Sequence, residues 1–66
     1  MNKNRLKGNW MQLKGTVKEK WGDLTDDELE QIAGNRDILL GKIQEKYGIA
    51  QEEAEKQIEE WEKRLD

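Results

Sequence analysis

The segment GTVKEKWG at residues 15–22 returns as GKIQEKYG at residues 41–48, an offset of 41 − 15 = 26 positions. Residues 8–32 can be laid over residues 34–58 at the same offset. A repeat of this kind is typical of one supersecondary unit that buries its apolar face against its neighbour. Each copy has the pattern of a helix, a glycine turn and a second helix. The sequence therefore predicts an all-α fold of four short helices, arranged as two helical hairpins that cross each other.

Length and composition limit the size of the core. The 66 residues predict a single domain over residues 1–66, with residues 1–8 open to fraying as a basic arm. A core of this size supplies only about 3–5 kcal/mol, and without cysteine no disulfide can supplement it. No apolar run approaches the ~18 residues of a membrane span, and no signal peptide is recognisable. We therefore expect a cytoplasmic protein without a membrane partner.

Apolar residues in the first third of the chain follow a helical period. They recur at spacings of 4, 3, 4 and 4 and form one stripe: Leu6, Trp10, Leu13, Val17 and Trp21. The helix starts either near Asn4 or at Asn9. Asn9 is favoured, because Gly8 weakens the first turns and asparagine is a good N-cap. Gly22 is expected to end this helix in the left-handed conformation.

A capping box marks the start of the second helix. Thr25 is the N-cap and Glu28 follows three residues later, so that each side chain reaches the other residue's backbone amide. Leu24 and Leu29 flank the box as a hydrophobic staple. The helix is expected over Asp26–Ala33, and it should bury three residues: Leu29, Ile32 and Ala33.

Two more helices complete the predicted four. Gly34-Asn35 is expected to end the second helix and to cap the third in one tight turn. The third helix ends at Gly48, and the fourth begins near Gln51. Their apolar residues are Leu39, Leu40, Ile43 and Tyr47 in the third and Ala54, Ile58, Trp61 and Leu65 in the fourth. Short turns between helices predict antiparallel neighbours.

The aromatic residues are predicted to lie where the hairpins meet. Trp21 and Tyr47 occupy equivalent positions in the repeat, just before a turn glycine, so both are expected to wedge between the hairpins. A core role for Trp10, Trp21 and Trp61 is favoured over a cofactor-binding or base-stacking platform.

Residue types argue against catalysis. The chain has no His, no Cys and no Ser, which removes the usual general base and the usual nucleophiles. Carboxylates are plentiful, but general-acid chemistry needs one held in a desolvated pocket. Asp23, Asp26 and Asp27 lack the remaining ligands of a calcium loop, and the dipole of the second helix explains acids at its start. We expect no enzyme activity, no metal and no cofactor.

Charge is spread unevenly. Residues 1–20 carry six basic residues against Glu19, a balance of +5, so residues 21–66 sum to −8 and the chain to −3. On one helix Lys7, Lys14 and Lys18 would lie on one side, beside the apolar stripe, as contacts for an anionic partner. Two other interpretations are open: a solvated face whose lysine stems cover the core edge, and attraction to the acidic fourth helix.

Several short motifs together resemble the CsbD-like family of small bacterial general stress proteins, in its tryptophan-containing branch. They span nearly the whole chain: Gly8-Asn9-Trp10, Lys14-Gly15, Val17-Lys18-Glu19, Trp21-Gly22, Leu24-Thr25-Asp26-Asp27, Gly34, Asp37, Gly41-Lys42-Ile43-Gln44-Glu45, Tyr47-Gly48, Ala54-Glu55 and Trp61. The resemblance implies a SAM-domain-like bundle of two crossed hairpins, raised expression under general stress, and no catalytic residues.

These observations predict a non-enzymatic, monomeric, stress-associated protein that binds an unknown protein or nucleic acid. The alternative is a nucleic-acid-binding helix-hairpin module, in which the Gly34-Asn35 and Gly48-Ile49 turns would present backbone amides to phosphate. A third class is an adaptor that binds another protein through its second or fourth helix.

Overall fold

The chain is helical along nearly its whole length. A computed structural model describes the backbone of residues 3–65 and the side chains of residues 6–65, and within this part it contains five helices and no strand. The helices are α1 Lys3–Gly8, α2 Trp10–Lys20, α3 Asp26–Ile32, α4 Arg36–Tyr47 and α5 Gln51–Leu65. The predicted all-α class is confirmed. The predicted number of four was wrong, because the N-terminal stripe is divided between two helices.

The division falls at one residue. Asn9 separates α1 from α2 with φ −112° and ψ 20°, and its carbonyl accepts the amides of Gln12 and Leu13. Asn9 is thus the N-cap residue of α2, as predicted, although its side chain makes no capping hydrogen bond. Residues 3–8 form α1, whose Leu6 side chain is fully buried. Leu6 therefore ties this segment to the core.

The capping box of α3 is confirmed. The Glu28 amide donates to Thr25 Oγ1 at 3.2 Å, and the Thr25 amide donates to Glu28 Oε1 at 3.0 Å. Both staple leucines are buried. The prediction that Ala33 lies buried inside this helix was wrong: α3 ends at Ile32, and Ala33 is an exposed C-cap residue in the left-handed conformation, φ 45°.

The predicted tight turn between α3 and α4 is present. The Asn35 amide donates to the Ile32 carbonyl at 2.7 Å, while Asn35 Oδ1 accepts the amides of Asp37 and Ile38 at 2.9 and 3.1 Å. Gly34, with φ +82°, is buried against α1: a Cβ atom there would lie 2.6 Å from Lys7 Cα. Glycine is required here because the backbone of α1 occupies the space of a side chain.

The two glycines at equivalent repeat positions end their helices differently. Gly48, which was predicted to end the third helix, does so in the left-handed conformation, φ 61°. Gly22 does not, which corrects the expectation, because α2 has already ended at Lys20 and Trp21 is extended, with φ −120° and ψ 76°. This early ending turns Trp21 into the core, where it is 1% exposed. The prediction for Tyr47 was wrong: α4 continues through it, and its side chain is 38% exposed.

The core draws on all five helices and on the loop between α2 and α3. It contains Leu6, Val17, Trp21, Leu24, Leu29, Ile32, Leu39, Ile43, Ala54, Ile58 and Trp61. Trp21 and Trp61 meet edge to face, with ring centroids 5.6 Å apart, and Trp21 Nε1 donates to Gln57 Oε1 at 3.0 Å. Two of the three tryptophans are therefore core residues as predicted. Trp10 is only half-buried, at the edge of the core, as are Leu40 and Leu65.

The central element is α4, which packs against α1, α3 and α5. The starts of α2 and α4 are 36 − 10 = 26 residues apart, the offset of the sequence repeat. The crossing of two equivalent hairpins in a SAM-domain-like bundle stays a prediction.

Candidate functional site

The three lysines proposed as contacts for an anionic partner do not share one helix. Lys7 lies on α1, whereas Lys14 and Lys18 lie on α2, beyond the break at Asn9. The side chains of Lys7 and Lys14 are exposed. Lys18 Nζ donates to the carbonyl oxygens of Gly22, at 3.3 Å, and of Leu24. Lys18 therefore caps the loop that follows α2, a role in which its charge is partly occupied.

An open groove of ≈ 470 Å³ lies where α1 meets the α3–α4 turn. Of the three lysines, only Lys7 lines it. Arg36 and Ile38 also line it, and Ile38 is 40% exposed. We call this surface, formed by Lys7, the turn residues Gln31–Asn35 and Arg36–Ile38, the turn groove. It combines cationic side chains with exposed apolar surface.

Arg36 is held in place by a buried carboxylate. Its Nε lies 3.5 Å from Glu62 Oε2, and the Glu62 side chain is 7% exposed. Burying a charge is costly unless it is paired, so this contact fixes both groups. Glu62 Oε2 has no hydrogen bond in the described part of the chain, which leaves Arg36 as its neutralising neighbour there. The ion pair with Glu62 thereby anchors Arg36, which lines the turn groove, to α5.

Sequence reasoning missed Arg36, Ile38 and Glu62 as parts of a site. The repeat aligned Arg36 with Trp10, and nothing in the spacing connects Arg36 to a glutamate 62 − 36 = 26 residues away. Glu62 lies beyond both copies of the repeat, residues 8–32 and 34–58, so the sequence contained no signal for this pair.

A second ion pair joins α3 to α4, at the end of α4 opposite to Arg36. Lys46 Nζ lies 2.9 Å from Glu28 Oε1, the oxygen that also closes the capping box. The Thr25 amide and then Lys46 lower the pKa of Glu28 to about 2, and the hydrogen bond to Glu28 raises the pKa of Lys46. Each charge also complements a helix dipole, at the start of α3 and the end of α4. This pair links the start of α3 to the end of α4.

The turn amides that a phosphate would need are largely occupied. Those of Asp37 and Ile38 bond Asn35 Oδ1, and the Asn35 amide bonds Ile32. At the other turn, the Gly48 amide donates to the Gln44 carbonyl at 2.9 Å. A phosphate would have to displace these bonds.

The three hydroxyl groups of the chain have structural partners. Thr16 donates to the Leu13 carbonyl at 2.8 Å, and Thr25 belongs to the capping box. Tyr47 accepts the Asp23 amide at 3.2 Å. Hydroxyls held in this way are poorly placed to act as nucleophiles, because each would first have to break a stabilising contact.

No group of three or more Asp and Glu side chains in the described part of the chain is arranged to hold a metal ion. Over residues 3–65, every helix is too short or too polar to cross a membrane.

Comparison with known proteins places the chain among small bacterial proteins. It matches the CsbD-like family over residues 4–56. It is 58% identical to the UPF0337 protein YjbJ of Escherichia coli O6:H1, covering 100% of this chain and 96% of that protein. It is 56% identical to the UPF0337 protein ECA0631 of Pectobacterium atrosepticum, covering 94% and 90%.

The chain is also 60% identical to the UPF0337 protein NE2439 of Nitrosomonas europaea, covering 88% of this chain and 62% of that protein. The identities lie far above the level at which a shared fold is in question, and the match covers the capping box, the α3–α4 turn and α4. The chain therefore belongs to the CsbD-like family.

Proposed function

We propose that this protein acts by binding a partner through the turn groove, without catalysis, in the cytoplasm of bacteria under general stress. The observation that carries the proposal is the groove itself: Lys7 and Arg36 flank it, and Ile38 adds exposed apolar surface. Such a surface suits an acidic segment that also carries an apolar side chain.

A binding role is favoured over chemistry by what the described side chains already do. The hydroxyls cap helices or bond backbone, and the strongly shifted carboxyl of Glu28 sits in the capping box. A perturbed pKa can mark a catalytic group, but here its causes are a helix cap and an ion pair. These groups have structural roles that account for their environment.

The turn groove is tested by capturing partners from stressed bacterial cells with three variants. Lys7→Gln and Ile38→Ala should each weaken capture, by roughly two- to fivefold for the exposed lysine. Lys14→Gln removes the same charge from α2, outside the groove, and should leave capture unchanged. Equal capture by the wild type and all three variants would exclude the turn groove as the binding surface.

Nucleic-acid binding is the second candidate, and the basic balance of residues 1–20 is what favours it. Changing Lys7, Lys14 and Lys18 together to Gln should then lower duplex affinity. Because Lys18 already binds loop carbonyls, the salt slope should fall by about 2 rather than 3, at ~0.9 per phosphate contact. Submicromolar duplex binding at physiological salt, lost in the triple variant while the fold persists, would promote this candidate over the first.

A further inference from the structure

The break between α1 and α2 is confined to one residue and to a modest change in its backbone dihedral angles. It consists of Asn9 alone, whose φ of −112° and ψ of 20° lie about 50° and 60° from helical values. The Asn9 carbonyl already accepts hydrogen bonds from the first turn of α2. Its side chain makes no capping hydrogen bond that would stabilise the bend. Straightening this residue would join α1 and α2 into one helix over residues 3–20.

The apolar stripe continues through the break in helical phase. The spacing from Leu6 to Trp10 is 4, the same as between later members of the stripe. In the bent chain Leu6 is fully buried in the core, while Trp10 and Leu13 are half-buried and Met11 is 90% exposed. The straight form is thus compatible with the sequence, and apolar surface beside the hinge is available to be covered.

The site that receives α1 is shaped for that segment. Gly34 meets its backbone so closely that an added Cβ would lie 2.6 Å from Lys7 Cα and 3.1 Å from the Leu6 carbonyl oxygen. We call Gly34 and the adjoining start of α4 the α1 seat. The α1 seat contacts the backbone of α1, and the Leu6 side chain of α1 is fully buried. The α1 helix of another molecule of the same sequence would make the same contacts.

We propose that two copies of this chain exchange α1, each straightening at Asn9 and placing Leu6 in the α1 seat of the other. Every seat contact is kept in the exchanged dimer, so the two forms differ in the hinge, in the new surface beside it and in the cost of association. The monomer is then the form at low concentration, and the dimer increases with concentration. This inference does not depend on the proposed binding function.

Hinge substitutions test the exchange by sedimentation from about 10 μM to about 1 mM, a range over which mass action shifts the equilibrium. Asn9→Ala favours the helical hinge in both chains and should lower the dimer dissociation constant about tenfold. Gly15→Ala is the control, since it has free space around it and raises helicity within α2 in both forms. It should leave the constant unchanged.

Complementation then identifies the contact. Gly34→Ala has a blocked seat and an intact α1, whereas Leu6→Ala has the reverse, so neither variant alone can make a complete seat contact, either as a monomer or as a dimer. Mixed together, with one variant labelled, they should form a heterodimer through the one intact α1 and the one intact seat. If either variant unfolds alone, both are made in a Gly41→Ala background.

Two results would overturn the exchange. One is a wild type and an Asn9→Ala variant that both remain monomeric across the whole range. The other is a dimer that neither responds to Asn9→Ala nor forms between the two complementary variants, which would mean that copies associate through their outer faces with α1 in place.

Discussion

Substituting the two left-handed glycines separates backbone strain from the packing of α1. Gly34 and Gly48 have φ +82° and +61°, so alanine is strained at both positions. At Gly48 no described atom lies within 4 Å of the new Cβ, whereas at Gly34 three backbone atoms of Leu6 and Lys7 lie within 3.3 Å. Both substitutions therefore introduce backbone strain, but only Gly34→Ala also disrupts the packing of α1.

The magnitudes follow from these contacts. A non-glycine residue in the left-handed region costs about 1–2 kcal/mol, which is the expected loss for Gly48→Ala. Gly34→Ala adds the undocking of α1, and exposing one fully buried leucine costs about 1.5–3 kcal/mol more. The sum, about 3–5 kcal/mol, is comparable to the whole stability of a chain of this size.

Urea unfolding followed by circular dichroism measures both losses. Measurement in a Gly41→Ala background adds roughly 0.5–1 kcal/mol of stability to every variant, because Gly41 lies within α4 and has open space for a methyl group. In a double-mutant cycle, Leu6→Ala and Gly34→Ala should cost less together than the sum of each alone, since both act on one contact. Equal losses for Gly34→Ala and Gly48→Ala, or full additivity with Leu6→Ala, would refute the packing of α1 on Gly34.

Further predictions concern the core, the cap and pH. Trp21→Ala should cost roughly 3–5 kcal/mol, because a fully buried indole and its bond to Gln57 are lost, and a thermal melt as stable as the wild type would contradict this. Thr25→Ala should cost about 1 kcal/mol in urea unfolding through loss of the N-cap. Gly41→Ala should add roughly 0.5–1 kcal/mol. Because the pKa of Glu28 is lowered from 4.5 to about 2, its contribution to stability is complete above pH 4.5 and disappears as pH falls toward 2; Glu28→Gln should lose that part of the acid dependence.

Local chemistry in the sequence was enough to place several boundaries. The capping box at Thr25, the Asn35 cap and the end of the third helix at Gly48 were all predicted, and all are present. Each depends on groups within about four residues of one another, so a single sequence contains all of the information. Helical periodicity likewise identified most buried positions, including Leu39, Ile43, Ala54 and Ile58.

The sequence by itself therefore determined the helical class, the principal turns and most of the apolar faces. Tertiary packing decided the rest. Periodicity shows that Leu6 and Trp10 could share a face, but the folded chain bends at Asn9 and packs the backbone of α1 against Gly34. Trp21 and Tyr47 occupy equivalent positions, yet one helix ends before its aromatic residue and the other does not. Trp21 donates to Gln57 on α5, whereas Tyr47 accepts the Asp23 amide. The Arg36–Glu62 pair joins residues far apart in the chain, and long-range contacts of this kind form only when the helices have already packed.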